Sequence, residues 1–379
     1  MATNIKILIV EDTENDIQSY KDTIRTLNMD LSPDLEIVAI YAKSKDEGLE
    51  QINNLKDNLD GAFIDLKLQS GTTVDVSEGN DLIKEIYGKL RFPIIVLTNT
   101  PGAFNGDFKK SLFLQLKTKT DILYRDVIMS LIDIHKTGIT KILGRKGLVE
   151  KMLDGIFWKN ISSTLPEWIG VANCEKPLLR YTLTLLQEHL EISDDGSEFD
   201  IVYPMENYIQ PSIKDYFFTG DIIYKRDEKS KRFIILTPAC DLAPHGEDKI
   251  PKTKEVLLAE IQSFNDGVIK QKVTVAKKIS SAQTATEIAN AKEDIKKILS
   301  NNYSPKYYYL PDTSFIKGGL VNFQKLTSVK LSEVKLVYEK EATITIQFVK
   351  DIISKFSYYY SRQGSPDFDF DGLLTAHLT

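Results

Sequence analysis

The chain lacks most of the features that place a protein at a glance. It has only two cysteines, Cys174 and Cys240, too few for a disulfide framework, and a reducing compartment fits. It has no strong charge of either sign. Against 54 acidic residues stand 48 Lys and Arg, and the net −6 gives no whole-chain signature of nucleic-acid binding. No stretch approaches the roughly eighteen apolar residues of a membrane span. The start, Met-Ala-Thr-Asn, runs straight into a strand without the basic and apolar regions of a secretory signal, so a cytoplasmic location is the expectation. There is no internal repeat and no low-complexity tract. What remains is an ordinary globular composition, 42% hydrophobic and 27% charged, in a chain of 379 residues with room for about two or three domains.

The first informative stretch is Lys6-Ile7-Leu8-Ile9-Val10-Glu11-Asp12. A run suited to a buried parallel strand stops at two adjacent acids, at the end where open α/β sheets carry their sites. Adjacent carboxylates repel unless a cation or a proton lies between them, and Mg²⁺ is the usual hard cation for such oxygens. Helical spacing follows in Ile17, Tyr20, Ile24 and Leu27. Further strands are expected at Leu35–Ala39, Gly61–Asp65, Phe92–Thr98 and Ser111–Leu116. Helices are expected at Asp46–Leu55, around Leu82, Ile83 and Ile86, and at Asp121–Ile134. Five repeats of strand then helix argue an α/β fold with a doubly wound parallel sheet.

Glu11, Asp12, Asp65, Thr98 and Lys117 fall at carboxyl ends of these strands, which share one sheet edge. Carboxylates with a divalent cation can bind an incoming phosphoryl group, and an Asp oxygen can take it as an acyl phosphate. A hydroxyl and an ammonium can hold the phosphoryl oxygens as charge moves onto them.

In this order and at these strand ends, Ile9-Val10-Glu11-Asp12, Ile64-Asp65-Leu66 and Pro93-Ile94-Ile95-Val96-Leu97-Thr98 resemble the receiver domain of two-component response regulators over residues 1–135. The resemblance implies a flavodoxin-like, five-stranded receiver with Asp65 as phosphoacceptor and Glu11 and Asp12 as the acidic pair. It implies Glu11, Asp12, Asp65 and the Lys67 carbonyl as the Mg²⁺ site, with Asp12 the direct ligand of the acidic pair, Thr98 as the switch hydroxyl and Lys117 as the phosphate-binding lysine. Three departures accompany it. The segment after Asp65-Leu66-Lys67-Leu68 is long, running to Gly79. Asn99-Thr100-Pro101 replaces the usual start of a regular fourth helix. Lys119 competes with Lys117.

Residues 136–199 read as a helical connector. Gly138 is placed to cap the receiver's last helix. One apolar stripe runs Leu148, Val149, Met152, Leu153, Ile156, Phe157 and Ile161, and a second, after Pro177, runs Leu179, Leu183, Leu186 and Leu190. Such a pair can dimerise, read DNA or pack on a neighbour. No compact basic recognition helix accompanies it. Residues 200–379 read as an α+β output domain, a candidate small β-barrel. Strands are expected at Asp200–Tyr203, Gly220–Tyr224, Arg232–Leu236, Val256–Ile261, Lys306–Leu310, Val334–Val337 and Thr343–Val349. The two runs before and after Lys225–Lys231 form a hairpin, a lysine-rich helical insertion follows, and a last helix covers Ile352–Tyr360.

Thr219-Gly220-Asp221-Ile222-Ile223-Tyr224 and Leu310-Pro311-Asp312 look faintly similar to the SH3-like barrels of PemK-type toxins. Thr237-Pro238-Ala239-Cys240-Asp241-Leu242 and Tyr358-Tyr359-Tyr360-Ser361-Arg362-Gln363-Gly364 resemble uncharacterised output regions fused to receivers in bacterial conflict or defence operons. Cys240 and Asp241 are candidate site residues with His245 as a base, or a buried small residue beside a capping acid. Arg362, beside three tyrosines, is either a nucleotide-stacking group or the partner of an acid. The expected function is a phosphorylation-dependent response regulator. A histidine kinase or phosphotransfer protein would be its donor, and the C-terminal region its effector or partner-binding module. The alternatives are a nuclease-like effector held inactive by the receiver and a non-phosphorylated pseudo-receiver scaffold. A homodimer is compatible with the connector stripes.

Overall fold

The computed structural model describes the chain except residues 1–2, 56–57, 71–72, 76, 106–110, 145–146, 192–200, 247–248, 265–266, 278–283, 363–366 and 379. The chain forms two compact units, Met1–Asp200 and Ile201–Thr379. The connector helices therefore belong with the parallel sheet.

In the first unit the elements run β1 (Thr3–Val10), α1 (Glu14–Asp30), β2 (Leu35–Ala42), α2 (Lys45–Leu55) and β3 (Gly61–Ile64). A small hairpin of β4 (Leu68–Ser70) and β5 (Thr73–Asp75) comes next. Then follow α3 (Ser77–Ile86), β6 (Ile94–Thr98), β7 (Leu114–Thr118) and α4 (Tyr124–Lys136). The sheet is wholly parallel, in the order β2-β1-β3-β6-β7. This is the flavodoxin-like order, whose switch point lies between β1 and β3. All four residues of β3 are buried, as a central strand covered on both faces requires. Tyr20, Ile24 and Leu27 of α1 pack on one face with Val127, Ile128, Leu131 and Ile132 of α4. The other face is covered by α2 and α3 through Ile52, Leu82, Ile83 and Ile86.

Two expected elements differ. The fifth strand is Leu114–Thr118, not Ser111–Leu116, because Ser111 and Leu114 close a tight turn onto each other. The long segment after Asp65 folds back on itself as the β4–β5 hairpin, while its residues 71, 72 and 76 lie outside the described ones. After Thr98, among the described residues, a 3₁₀ turn, Pro101–Ala103, stands where a regular helix would begin. Asn80 holds that turn from α3: its amide donates to the Ala103 carbonyl at 2.9 Å and its oxygen accepts the Asn105 N–H at 2.9 Å.

Gly138, at φ +79°, ends α4 in the left-handed conformation that glycine adopts without strain. The helices α5 (Ile139–Leu143), α6 (Leu148–Ile156), α7 (Ser162–Thr164) and α8 (Glu175–Glu188) follow. A buried polar joint fastens α5 to the sheet. Asp60, just before β3, accepts the Lys6 N–H at 3.0 Å and the Thr140 hydroxyl at 3.2 Å, and lies 3.2 Å from His135 Nδ1.

The second unit holds β8 (Tyr208–Ile209), β9 (Asp221–Lys225), β10 (Arg232–Ile235), α9 (Ala239–Leu242), β11 (Glu255–Gln262), α10 (Gly267–Ala276) and α11 (Ala285–Leu299). It continues with β12 (Tyr307–Leu310), β13 (Gly319–Lys330), α12 (Leu331–Val337), β14 (Tyr338–Ile344), α13 (Ile346–Ser361) and α14 (Phe370–Leu378). Its seven strands form one antiparallel sheet, β12-β13-β11-β10-β9-β14-β8. The sheet curls until its edges approach, since the Tyr208 hydroxyl on β8 donates to the Pro311 carbonyl just past β12 at 2.7 Å.

The 225–231 hairpin forms as expected, with Lys225 N–H on the Lys231 carbonyl. Residues 201–203 are not a strand: Ile201 is exposed, and Pro204 opens a 3₁₀ turn. Val334–Val337 belongs to helix α12, and Thr343–Val349 divides at Thr345, where the Val349 N–H bonds the Thr345 carbonyl and starts α13. The long β13 was not expected, because its polar second half, Gln324 to Lys330, does not show the apolar run of a buried strand.

Candidate functional site

The carboxyl ends of β1 and β3 bring Glu11, Asp12 and Asp65 to the switch point. Asp65 N–H bonds the Val10 carbonyl at 3.0 Å, which sets the two strand ends side by side. Glu11 is 2% exposed and Asp65 7% exposed; Asp12 is half-buried at the rim. Gly79 of α3 sits directly behind them. A Cβ there would lie 2.3 Å from the Asp65 carbonyl oxygen and 2.5 Å from Leu66 Cα, so only glycine lets the helix come this close.

The ammonium among these acids is that of Lys119. Its Nζ lies 2.6 Å from Glu11 Oε2, 2.6 Å from Asp16 Oδ2 and 2.7 Å from Asp65 Oδ2. The placement corrects the expectation for Lys117. The strand runs two residues further than expected, to Thr118, and a 3₁₀ turn over Lys119–Asp121 then swings the next lysine inward. Lys117 pairs in register with Leu97 and is exposed in a cleft beside Asp126 and Ser130 of α4. Asp16, in the first turn of α1, joins the site without having been singled out from the sequence. Its signal was there: an acid placed one helical turn after Asp12 returns toward the strand end.

Burial opposes the charge on both Glu11 and Lys119. On Lys119 three hydrogen bonds, to Asp16, Asp65 and Glu11, outweigh burial and hold the ammonium above its usual range. On Glu11 burial outweighs the lysine, the Asp65 charge adds to it, and the pKa rises from 4.5 to about 7. The remaining oxygens are thinly supplied. Glu11 Oε1 accepts the Thr13 N–H at 3.1 Å, and among the described residues Asp65 Oδ1 accepts only the Lys67 N–H, at 3.3 Å. Thr98 ends β6, fully buried. Its hydroxyl is 3.2 Å from that of Thr100 and accepts the Thr100 N–H at 3.2 Å.

Among the described residues no group of three or more His, Cys, Asp or Glu side chains stands ready as a metal cage; the acids are drawn around Lys119. The donor set nonetheless suits a hard cation. It is all oxygen, it carries more carboxylates than its one ammonium neutralises, and Asp12 gives it an open rim.

The C-terminal candidates do not form such a set. Cys240 and Asp241 lie on the short α9, and Cys240 is exposed, not buried as a small core residue would be. His245 Nε2 faces the Cys240 carbonyl oxygen at 2.5 Å rather than the thiol. The Cys240 thiol donates to Asp241 Oδ1 at 3.7 Å. Arg362, at the end of α13, lies over the Tyr359 ring at 4.9 Å. Among the described residues no contact joins Arg362 to Cys240 or Asp241. Lys292, Lys296 and Lys297 of α11 are exposed, so the lysine-rich insertion presents a solvated face.

No family model matches the chain, and no curated protein does. Solved structures do. A CheY-like receiver domain from Methylobacillus flagellatus is 18% identical and is matched over 34% of this chain and 99% of its own, with a TM-score of 0.25. A two-component response regulator from Legionella pneumophila is 20% identical over 35% of this chain and 98% of its own, with a TM-score of 0.24. The phosphorylated cyanobacterial phytochrome response regulator RcpA is 17% identical over 37% and 94%, also with a TM-score of 0.24. Likenesses at this level carry no functional weight. The strand order and the carboxylate cluster stand without them.

Proposed function

We propose that the first unit is a phosphorylation-dependent receiver in which Asp65 accepts a phosphoryl group from a histidine kinase or phosphotransfer protein. The observation that carries this reading is the Asp65 carboxylate at the switch point, held on one oxygen by Lys119 and nearly free on the other. A lone pair on that freer oxygen attacks the donor phosphorus. The P–N bond of the donor phosphohistidine breaks, its electron pair stays on the imidazole nitrogen, and Asp65 becomes an acyl phosphate. Lys119 already touches Asp65 and can follow the charge onto the phosphoryl oxygens. Among the described residues the Thr98 hydroxyl is tied only locally, to Thr100, and can turn to the new group. Asp12, Asp65 and the Lys67 carbonyl are the residues that would hold Mg²⁺, with Glu11 behind them; when bound, the cation would offset charge on the phosphoryl oxygens. The second unit would be the effector or partner-binding module that this switch controls, in a signalling or defence setting.

One observation favours a second reading. Lys119 engages three carboxylates at once, as a scaffold that never meets a phosphoryl group would also require. Incubation with acetyl phosphate and Mg²⁺ separates the two. The receiver reading expects one phosphoryl group on the native chain and none on Asp65→Asn. No uptake by the native chain from this donor or from phosphorylated kinases would favour the scaffold.

A further inference from the structure

Helix α8 is apolar on two sides, and the fold covers only one. Leu178, Tyr181 and Leu185 are half-buried, with Tyr181 5.9 Å from the Trp168 ring, and α8 packs on α6. The other side carries Leu179 and Leu183, with half-buried Leu186 at its edge, and then Leu190 in the turn that closes the helix, where its N–H reaches the Gln187 carbonyl. Leu179, Leu183 and Leu190 are 58%, 55% and 60% exposed. No residue of α8 is fully buried. A helix of 14 residues is marginal in water without tertiary cover. A leucine row left partly in solvent forgoes burial that a partner could supply.

The spacing of the row names its partner. Steps of four, three and four residues are those of alternating d and a positions in a heptad repeat, with Leu179 and Leu186 at d and Leu183 and Leu190 at a. A seam of leucines at both positions is self-complementary. In a parallel pair, a g residue faces the e residue five positions on in the other chain. Here Glu175 is at g and Arg180 at e, so each chain sets its carboxylate against its neighbour's guanidinium. Both side chains are exposed, and among the described residues neither has an ion-pair partner. Phe157 and Trp158, in the turn that continues α6, are exposed too.

We infer that the exposed face of α8 is a homodimer seam, a short parallel coiled coil between two copies of this chain. The seam does not depend on phosphoryl transfer.

The test uses the full chain. Sedimentation equilibrium should give a dimer at tens of micromolar. Leu179→Glu with Leu183→Glu should give a monomer of unchanged far-UV circular dichroism, with the dissociation constant raised at least about 100-fold. Should that variant fail to fold, charge reversal decides. Glu175→Arg alone should weaken the dimer about tenfold, and adding Arg180→Glu should restore it. Leu183→Cys, with both native cysteines changed to serine, should form a disulfide between chains, because a positions face each other in a parallel pair. A native chain that stays monomeric would overturn the seam, as would a dimer indifferent to the leucine and charge changes.

Discussion

Each unit contains a buried acid touched by a lysine, and the two arrangements are opposites. In the second unit Asp221 is fully buried and every group around it is spoken for. Its Oδ1 accepts the Thr343 hydroxyl at 2.6 Å, and its Oδ2 accepts the Phe218 N–H at 2.7 Å and Lys340 Nζ at 2.8 Å. Lys340 gives its other protons to the carbonyls of Lys214 and Tyr216, at 2.8 and 2.7 Å. One charge meets one charge, and nothing is left to bind a ligand. In the first unit a single ammonium serves Glu11, Asp16 and Asp65, Asp12 waits at the rim, and burial lifts the Glu11 pKa to about 7. Saturation marks a joint of the fold. Surplus charge of one sign, kept at a strand end, marks a place prepared for something else.

The sharpest way to break this contrast is to remove one acid from each. Asp221→Ala leaves Lys340 buried without a counter-charge and should cost the second unit about 3–5 kcal/mol. Asp16→Ala only reduces a surplus and should leave the first unit within about 0.5 kcal/mol of native stability. Denaturant unfolding followed by hydrogen exchange in β9 and in β1 measures both, and equal costs would erase the distinction. Next in size, Lys119→Met should slow phosphoryl uptake by about 100-fold or more, as loss of a charge-stabilising group does. Lys117→Met, in its exposed cleft, should stay within about twofold. Reversed effects would return the phosphate-binding role to Lys117.

A smaller effect concerns pH. The folded chain holds the Glu11 proton more tightly than the unfolded one, so this group contributes stability that is full below about pH 4.5 and lost as pH rises through about 7. Exchange protection of β1 should therefore fall between pH 5 and 8, and Glu11→Gln should flatten the fall. A native chain whose β1 gains protection over that range would contradict the assignment. The smallest effect belongs to Thr98→Ala. It should be phosphorylated as fully as the native chain but lose the phosphorylation-linked exchange changes expected in residues 99–105 and in the connector helices.

Much of the first unit was legible because a parallel sheet is read one strand at a time. Each strand is a short apolar run, and its carboxyl end is where the acids stop it, so Glu11, Asp12, Asp65 and Thr98 could be located without knowing their neighbours. Lys117 was expected among the acids, where the structure puts Lys119, for a local reason. The end of β7 depends on the turn from Ser111 to Leu114, and two residues of error exchange one lysine for the other. The second unit was harder because antiparallel strands are defined by partners. Val334–Val337 is apolar enough for a strand, yet it lies between β13 and β14 and turns the corner as a helix. Asp221 and Lys340 are 119 positions apart, and nothing local announces that they meet.

The central claim is that surplus charge around Asp65 prepares it to take a phosphoryl group. Phosphorylation by acetyl phosphate with Mg²⁺, trapping of the acyl phosphate with borohydride and peptide mapping by mass spectrometry test it directly. The account predicts one modified residue, Asp65, reduced to homoserine, and no modification at Glu11, Asp12 or Asp16. A label at any of those acids, or an Asp65→Asn chain that takes up phosphate like the native one, would contradict it.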